Sequence, residues 1–271
     1  EVWTDNADGA KVKVMRTYTE GEEGRFIANS IFDNMMNLQL KGSEFAILYR
    51  TNAQSRAIED ALRKKDIKHK IYGGLSFYQR KEIKDTLGYL RLLINPNDEE
   101  ALKRIINYPM RGIGASTVDK LSVAANHFKI SIFELLQNLS NYDLKLNSGT
   151  KNKLDSFITM IQHFQIEAKS KNAFEVAEFV VKQTRLIKDL EKDGTPEAVS
   201  RVENVQELLN GIKDFIEVQK EKEEDDSLAF FLEDVALATD FDSDKKDDTP
   251  RVSLMTIHLA KGLEFPYVYI V

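Results

Sequence analysis

The feature that most constrains this chain is a change of hydrophobic period near residue 77 and a change back near residue 251. Before the first break, "FAILYR" (45–50) is a short, almost continuously apolar run, as strands buried on both faces tend to be. "KHKIYGG" (68–74) reads as another strand, stopped by paired glycines, and "VKVMRTY" (12–18) alternates with a period of two. After the second break, "VSLMTIH" (252–258) and "YVYIV" (267–271) return to strand character. Between the breaks there is no convincing strand. "DTLGYLRLLI", "TVDKLSVAANHF", "KLDSFITMIQHF", "FEVAEFVVKQT" and "VENVQELLNGIKDFIEVQ" all repeat apolar residues with the helical period.

Helices separate the early strands. Glu22 and Glu23 open a stripe of Phe26, Ile27, Ser30, Ile31 and Met35, and "AQSRAIEDALRKKD" turns Ile58, Ala61 and Leu62 to one side. Strand–helix alternation of this kind predicts a parallel sheet. The fold class that follows is α/β, a parallel sheet interrupted by a large all-helical insertion and resumed at about Arg251. Insertions at exposed loops are physically tolerated. "DFDSDKKDDTP" (240–250) is charged and turn-rich and reads as an exposed linker. A sheet that ends on "YVYIV" is expected to continue in a longer protein.

Composition narrows the function classes. No apolar run approaches the ~20 residues of a membrane span, so no membrane partner is expected. The first residues, "EVWTDNADGA", show no secretory signal, and the absence of cysteine fits a reducing cytoplasm. The four histidines, His69, His127, His163 and His258, lack metal-ligand spacing, so no metal site is expected. The net charge of −6 is regional. Residues 211–248 hold 14 acidic and 5 basic residues, a local −9, which leaves the rest of the chain at +3.

Neither a GxxxxGK[ST] loop nor a strand-anchored GxGxxG occurs. Carboxylate pairs such as Asp225 and Asp226 sit in a charge run and read as solvated surface. Three stretches are left as candidates. Arg50, Thr51, Asn52 and Gln54 follow directly on a buried strand, at the end where parallel α/β sheets bind ligands; an ordinary capped strand-to-helix turn is the competing reading. "TIHLAKGLEF" (256–265) repeats that arrangement, with a satisfied histidine and a surface lysine as its alternative. In "YPMRGIGASTVDKL" (108–121), Gly112 and Gly114 bracket Ile113 between two helices, beside Arg111 and Thr117. Main-chain N–H groups there would grip a phosphate backbone, or the glycines would merely make the turn.

Taken in order, "FAILYRTNAQSRAIEDAL", "YGGLSFYQRKEIKDTLGYLRLL", "YPMRGIGASTVDKL" and "VSLMTIHLAKGLEFPYVYIV" resemble segments of UvrD/PcrA/Rep-type superfamily 1 DNA helicases. The resemblance spans most of residues 45–121 and 251–271, and through the middle of the insertion it rests mainly on helicity. It implies a partial RecA-like (P-loop NTPase-type) second motor domain, called 2A, at 1–76 and 247–271, with a helical subdomain, 2B, at 77–246. By the same resemblance, Arg50, Asn52, Thr256 and His258 would contact single-stranded DNA. Lys261, Gly262 and Glu264 would face ATP or couple it to DNA, and Arg111, Gly112, Gly114 and Thr117 would hold duplex DNA. A hinge would lie near residues 73–74 and 240–250.

The parent would be an ATP-dependent 3′–5′ helicase of DNA repair or replication, using ATP and Mg²⁺. Its first RecA-like motor domain would be the nearest partner, with repair proteins as possible others. Lacking Walker A, Walker B and the sixth motif, this chain is expected to be inactive alone and to hold no cofactor by itself. A partner-binding helical module, or part of a RecB/AddA-like helicase–nuclease subunit, are the alternatives.

Overall fold

Thr19 starts the first helix: its Oγ accepts from the main-chain N–H of Glu22, while Glu20, Glu22 and Glu23 set negative charge on the helix N-terminus. In this computed structural model, which describes residues 9–243 and 249–271, that helix is α1 (Glu20–Leu38). It is followed by β1 (Phe45–Tyr49), α2 (Ser55–Lys64) and β2 (His69–Ile71). Helices then run without a described strand until β3 (Val252–Thr256), and β4 (Tyr267–Ile270) comes last. The sheet order is β2-β3-β1-β4 with every neighbouring pair parallel.

The central position of β1 explains its unbroken apolar run, since Phe45, Ala46, Ile47 and Tyr49 are all buried. Ile27, Ala28 and Ile31 of α1 and Ile58, Ala61 and Leu62 of α2 share one core with Phe45, Ile47, Tyr49, Val252 and Leu254. Each Val, Leu, Ile or Phe among them contributes about 1.5–3 kcal/mol on burial. Edge strand β4 is anchored more lightly. Tyr267 packs its ring on Phe45, centroids 5.1 Å apart, and the Tyr269 hydroxyl lies 2.8 Å from Ser30 Oγ on α1.

Two expectations are corrected. Residues 12–18 form no strand: Val12, Val14 and Tyr18 are 92%, 89% and 90% exposed. Alternation is a local property, whereas a strand also needs an edge to pair with, and both edges of this sheet, β2 and β4, leave this segment unpaired. The charged stretch 240–250 begins as helix rather than as linker, because the last helix persists to Ser243. Residues 244–248 of that stretch, and residues 1–8 of the N-terminal segment, lie outside the described residues.

The helical body comprises α3 (Lys81–Ile94), α4 (Glu99–Ile105), α5 (Ala115–Phe128), α6 (Ile132–Gln137) and α7 (Ser148–Ala168). It continues through α8 (Ala173–Thr184), α9 (Leu186–Glu191), α10 (Pro196–Lys222) and α11 (Leu228–Ser243). These helices bury a second core, with Tyr89, Leu90, Phe157, Ile161, Phe164 and Ile212 among its members. Side-chain caps set most of their starts, as Asp98, Ser131, Asn147, Asn172 and Thr195 each accept from a first-turn N–H.

The two cores meet at a polar seam. Arg56 of α2 is buried and donates through Nε to Glu207 Oε1 of α10, at 2.5 Å, with Asp60 and Asp214 at 3.3 and 3.2 Å. Burial works against the guanidinium charge, but Asp60 and Glu207 more than offset it and keep the group firmly protonated. The fit requires glycine at 211, where a Cβ would stand 2.7 Å from Arg56 Nη1.

Glu20 lies at the mouth of this seam. Partial burial, and then the Glu207 carboxylate beside it, push its carboxyl up to about 7. The folded chain therefore keeps a proton there that the unfolded chain releases near 4.5. That contribution to stability is complete below the lower value and is lost as pH rises through the upper one. Denaturation midpoints should fall across this window. Glu20→Gln should flatten the slope, and an unaltered slope in that variant would assign the titration elsewhere.

Candidate nucleic-acid interface

Parallel pairing of β1 with β3 sets Tyr49 opposite Thr256, so both strands end at the same rim of the sheet. The pairing carries one step beyond the strands, where Ile257 N donates to Tyr49 O at 3.0 Å. Arg50 and His258 therefore emerge side by side, and Arg50 Nη1 lies 3.5 Å from His258 Nδ1. Both are exposed, as is Asn52; Thr256 is half-buried. A short 3₁₀ turn over Asn52–Gln54 shapes the rim. Gln54 Oε1 accepts from the main-chain N–H groups of Arg50 and Thr51, each at 2.9 Å, which pins the turn from within.

Beyond β3 the chain makes a tight turn, with Leu259 N and Ala260 N both donating to Thr256 O. Gly262 takes a left-handed φ of 84°, and Lys261, Gly262 and Glu264 are all exposed on this β3–β4 loop. Among the described residues, neither Lys261 nor Glu264 takes part in an ion pair. The loop side chains are thus available to an external polar ligand.

The glycine turn between α4 and α5 is far from this rim in sequence and built differently. Gly112 has φ 71°, and Asn107 Oδ1 accepts from the N–H groups of both Arg111 and Ile113, at 3.0 and 2.9 Å. Gly112 and Gly114 are exposed, Thr117 is half-buried, and Gly114 caps α5 without a side-chain partner. Gly114, Ala115 and Ser116 are exposed at the start of α5 with the helix dipole behind them, while the Thr117 N–H donates to Gly114 O. Arg111, by contrast, turns inward. Its Nη1 donates to the carbonyls of Ile105, Tyr108 and Pro109, and its Nη2 to the Tyr89 hydroxyl, while the guanidinium packs over the Tyr89 and Phe157 rings. Burial pushes the Tyr89 hydroxyl up to about 12, so it stays protonated. Lys153 of α7 closes the outer side by donating to Gly112 O at 3.1 Å.

A family model described as the UvrD-like helicase C-terminal domain matches residues 2–271. The chain belongs to that family. It is 39% identical over 274 residues to "ATP-dependent DNA helicase PcrA" of Bacillus subtilis strain 168, a match covering 99% of this chain and 36% of that protein. PcrA proteins of Staphylococcus epidermidis RP62A and Staphylococcus aureus Mu50 are 39% and 38% identical over 269 residues, with the same shares covered. The chain thus spans 36% of the length of the curated relatives it matches.

In this UvrD-like C-terminal domain the mixed architecture agrees with the fold class read from the sequence, a partial RecA-like parallel sheet with a helical insertion. No helix among the described residues is long and apolar enough to cross a membrane, and no described cluster of His, Asp and Glu has the make-up of a metal site. The sequence alone does not single out two residues that complete these surfaces, nor the buried Arg56 of the seam. Tyr72, 43% exposed, follows β2 onto the same rim, its N–H donating to Leu254 O and Lys70 Nζ lying 4.9 Å from its ring centre. Its place at the end of a strand was the available signal. Lys153 and Arg56 carried none, because their partners stand 41 and 151 residues away.

Proposed function

We propose that this chain is the second motor domain, residues 1–76 and 247–271, with its helical insert, 77–246, of an ATP-dependent 3′–5′ DNA helicase. The observation that carries the reading is the shared rim, where Arg50 meets His258 at the ends of paired strands. Arg50, Asn52, Thr256 and His258 offer donors that suit a sugar–phosphate backbone, which a translocase must hold without reading sequence. The three-residue reach from Lys261 to Glu264 on the adjoining loop suits contact with a nucleotide. ATP with Mg²⁺ would lie between this loop and the first motor domain, and its hydrolysis supplies the free energy for movement. This chain's contribution is to carry any displacement of Lys261, Gly262 and Glu264 along one short loop to Thr256 and His258.

Duplex DNA is assigned to the glycine turn. Main-chain N–H groups around Gly112 and Gly114, with the Thr117 hydroxyl, meet the phosphates, and Arg111 serves by holding the turn in shape. Repair proteins belong to the same reading as partners of the whole enzyme. By itself the chain should show no ATPase activity above background.

The decisive experiment measures binding of the full-length protein to an oligo(dT) strand. Asn52→Ala and His258→Ala should each weaken it about tenfold, the loss of one good hydrogen bond. Arg50→Ala should also lower the salt slope by about 0.7, since one phosphate contact is lost. If a variant lacking both Arg50 and His258 side chains binds as tightly as the parent protein, the rim is not the DNA track.

A further inference from the structure

Arg80 stands at the first turn of the helical body, immediately before α3, and is only 8% exposed. It nevertheless reaches back to the rim. Nη1 donates to the main-chain carbonyl of Asn52 at 2.9 Å, and Nη2 to Ser55 Oγ at 2.7 Å. The same Nη1 also donates to Asn204 Oδ1 of α10, at 2.8 Å. Asn204 is held in that orientation because its amide nitrogen donates to Glu82 Oε1 at 2.6 Å. One guanidinium thus bridges the turn that presents Asn52 and the longest helix of the insert. Thr256 is held in β3, and Arg50 and His258 follow closely on the paired strand ends; Asn52 lies further out, in the 3₁₀ turn, and Arg80 is the side chain from the helical body that grips its carbonyl.

We propose that Arg80 is a positioning residue for the single-stranded DNA grip, holding the Asn52 turn from beneath and making that hold depend on the seating of α10 through Asn204. The inference rests on the assignment of the rim to single-stranded DNA. A rigid-fork donor is needed for the task. Lysine, a point charge, cannot reach carbonyl, hydroxyl and amide acceptors on three sides at once. Since Arg80 is buried beneath the turn, it touches no phosphate, and its loss should act on geometry alone.

The test uses the full-length protein and an oligo(dT) strand over a range of salt concentrations. Arg80→Gln and Arg80→Lys should each weaken binding about tenfold, equivalent to one charge-assisted hydrogen bond, with an unchanged salt slope. Asn204→Leu, which leaves the rim residues untouched, should weaken binding in the same sense. Combined with Arg80→Gln, it should add less than its separate effect, because both remove one connection. Parental affinity in either the Arg80→Lys or the Asn204→Leu protein overturns the proposal, as does a slope reduced by about 0.7, which would mean that Arg80 meets phosphate directly. Should Arg80 variants fail to fold, the Asn204→Leu result decides alone. Arg50→Ala separates the two levels: if it leaves affinity and slope intact, the rim assignment itself has failed.

Discussion

Arg56→Met is expected to destabilise the chain by about 3–5 kcal/mol, the range for removing one partner of a buried ion pair. Methionine keeps most of the volume, so the loss is electrostatic in origin. Glu207, 5% exposed, would be left in the seam with its charge unmatched. The other two carboxylates suffer less. Asp60 retains Arg63 at 2.9 Å, and the Asp214 side chain is 46% exposed and can turn to water. The companion variant carrying both Arg56→Met and Glu207→Met should recover most of the loss, since an apolar pair of similar volume substitutes well for a buried ionic one. Chemical denaturation checks both. A drop below about 1 kcal/mol for the single variant would place Arg56 among ordinary surface pairs.

Arg111→Ala should cost about 3 kcal/mol, the upper end for hydrogen bonds to a charged donor, although Ile105 O keeps the Tyr108 N–H and Tyr108 O the Tyr89 hydroxyl. Three carbonyls and the Tyr89 hydroxyl share this one side chain, and the Phe157 ring loses its cationic cover as well. Arg111→Lys should restore little, for want of a planar fork. Duplex binding by the full-length protein should weaken because the glycine turn loosens, while its salt slope stays the same. A slope that falls with Arg111→Ala at unchanged thermal stability would show that the guanidinium reaches phosphate instead.

The contrast between Arg111 and Arg50 shows where sequence reading stops. Each is an arginine beside a turn, and residue type and spacing are equal guides to both. Arg50 projects outward because β1 ends beneath it. Arg111 folds inward because Ile105, Tyr108 and Pro109 turn their carbonyls toward it. Arg56 is similar: with Asp60 four residues on, it reads as an exposed helical ion pair, and only α10 laid across it makes it a buried one.

What the sequence determined by itself was local, and even there the alternation over residues 12–18 made no strand. The central strand declared itself in "FAILY", the helical body in its 3.6-residue stripes, and the opening of α1 in Glu22 and Glu23. Only the tertiary structure decided which segments meet. It seated Thr256 beside Tyr49, left residues 12–18 unpaired, and bound Arg80 to Asn52 and Asn204 at once. The physical reason is that hydrophobic period reports a segment's own exposed and buried sides, whereas pairing and side-chain direction follow from groups brought together across the whole chain.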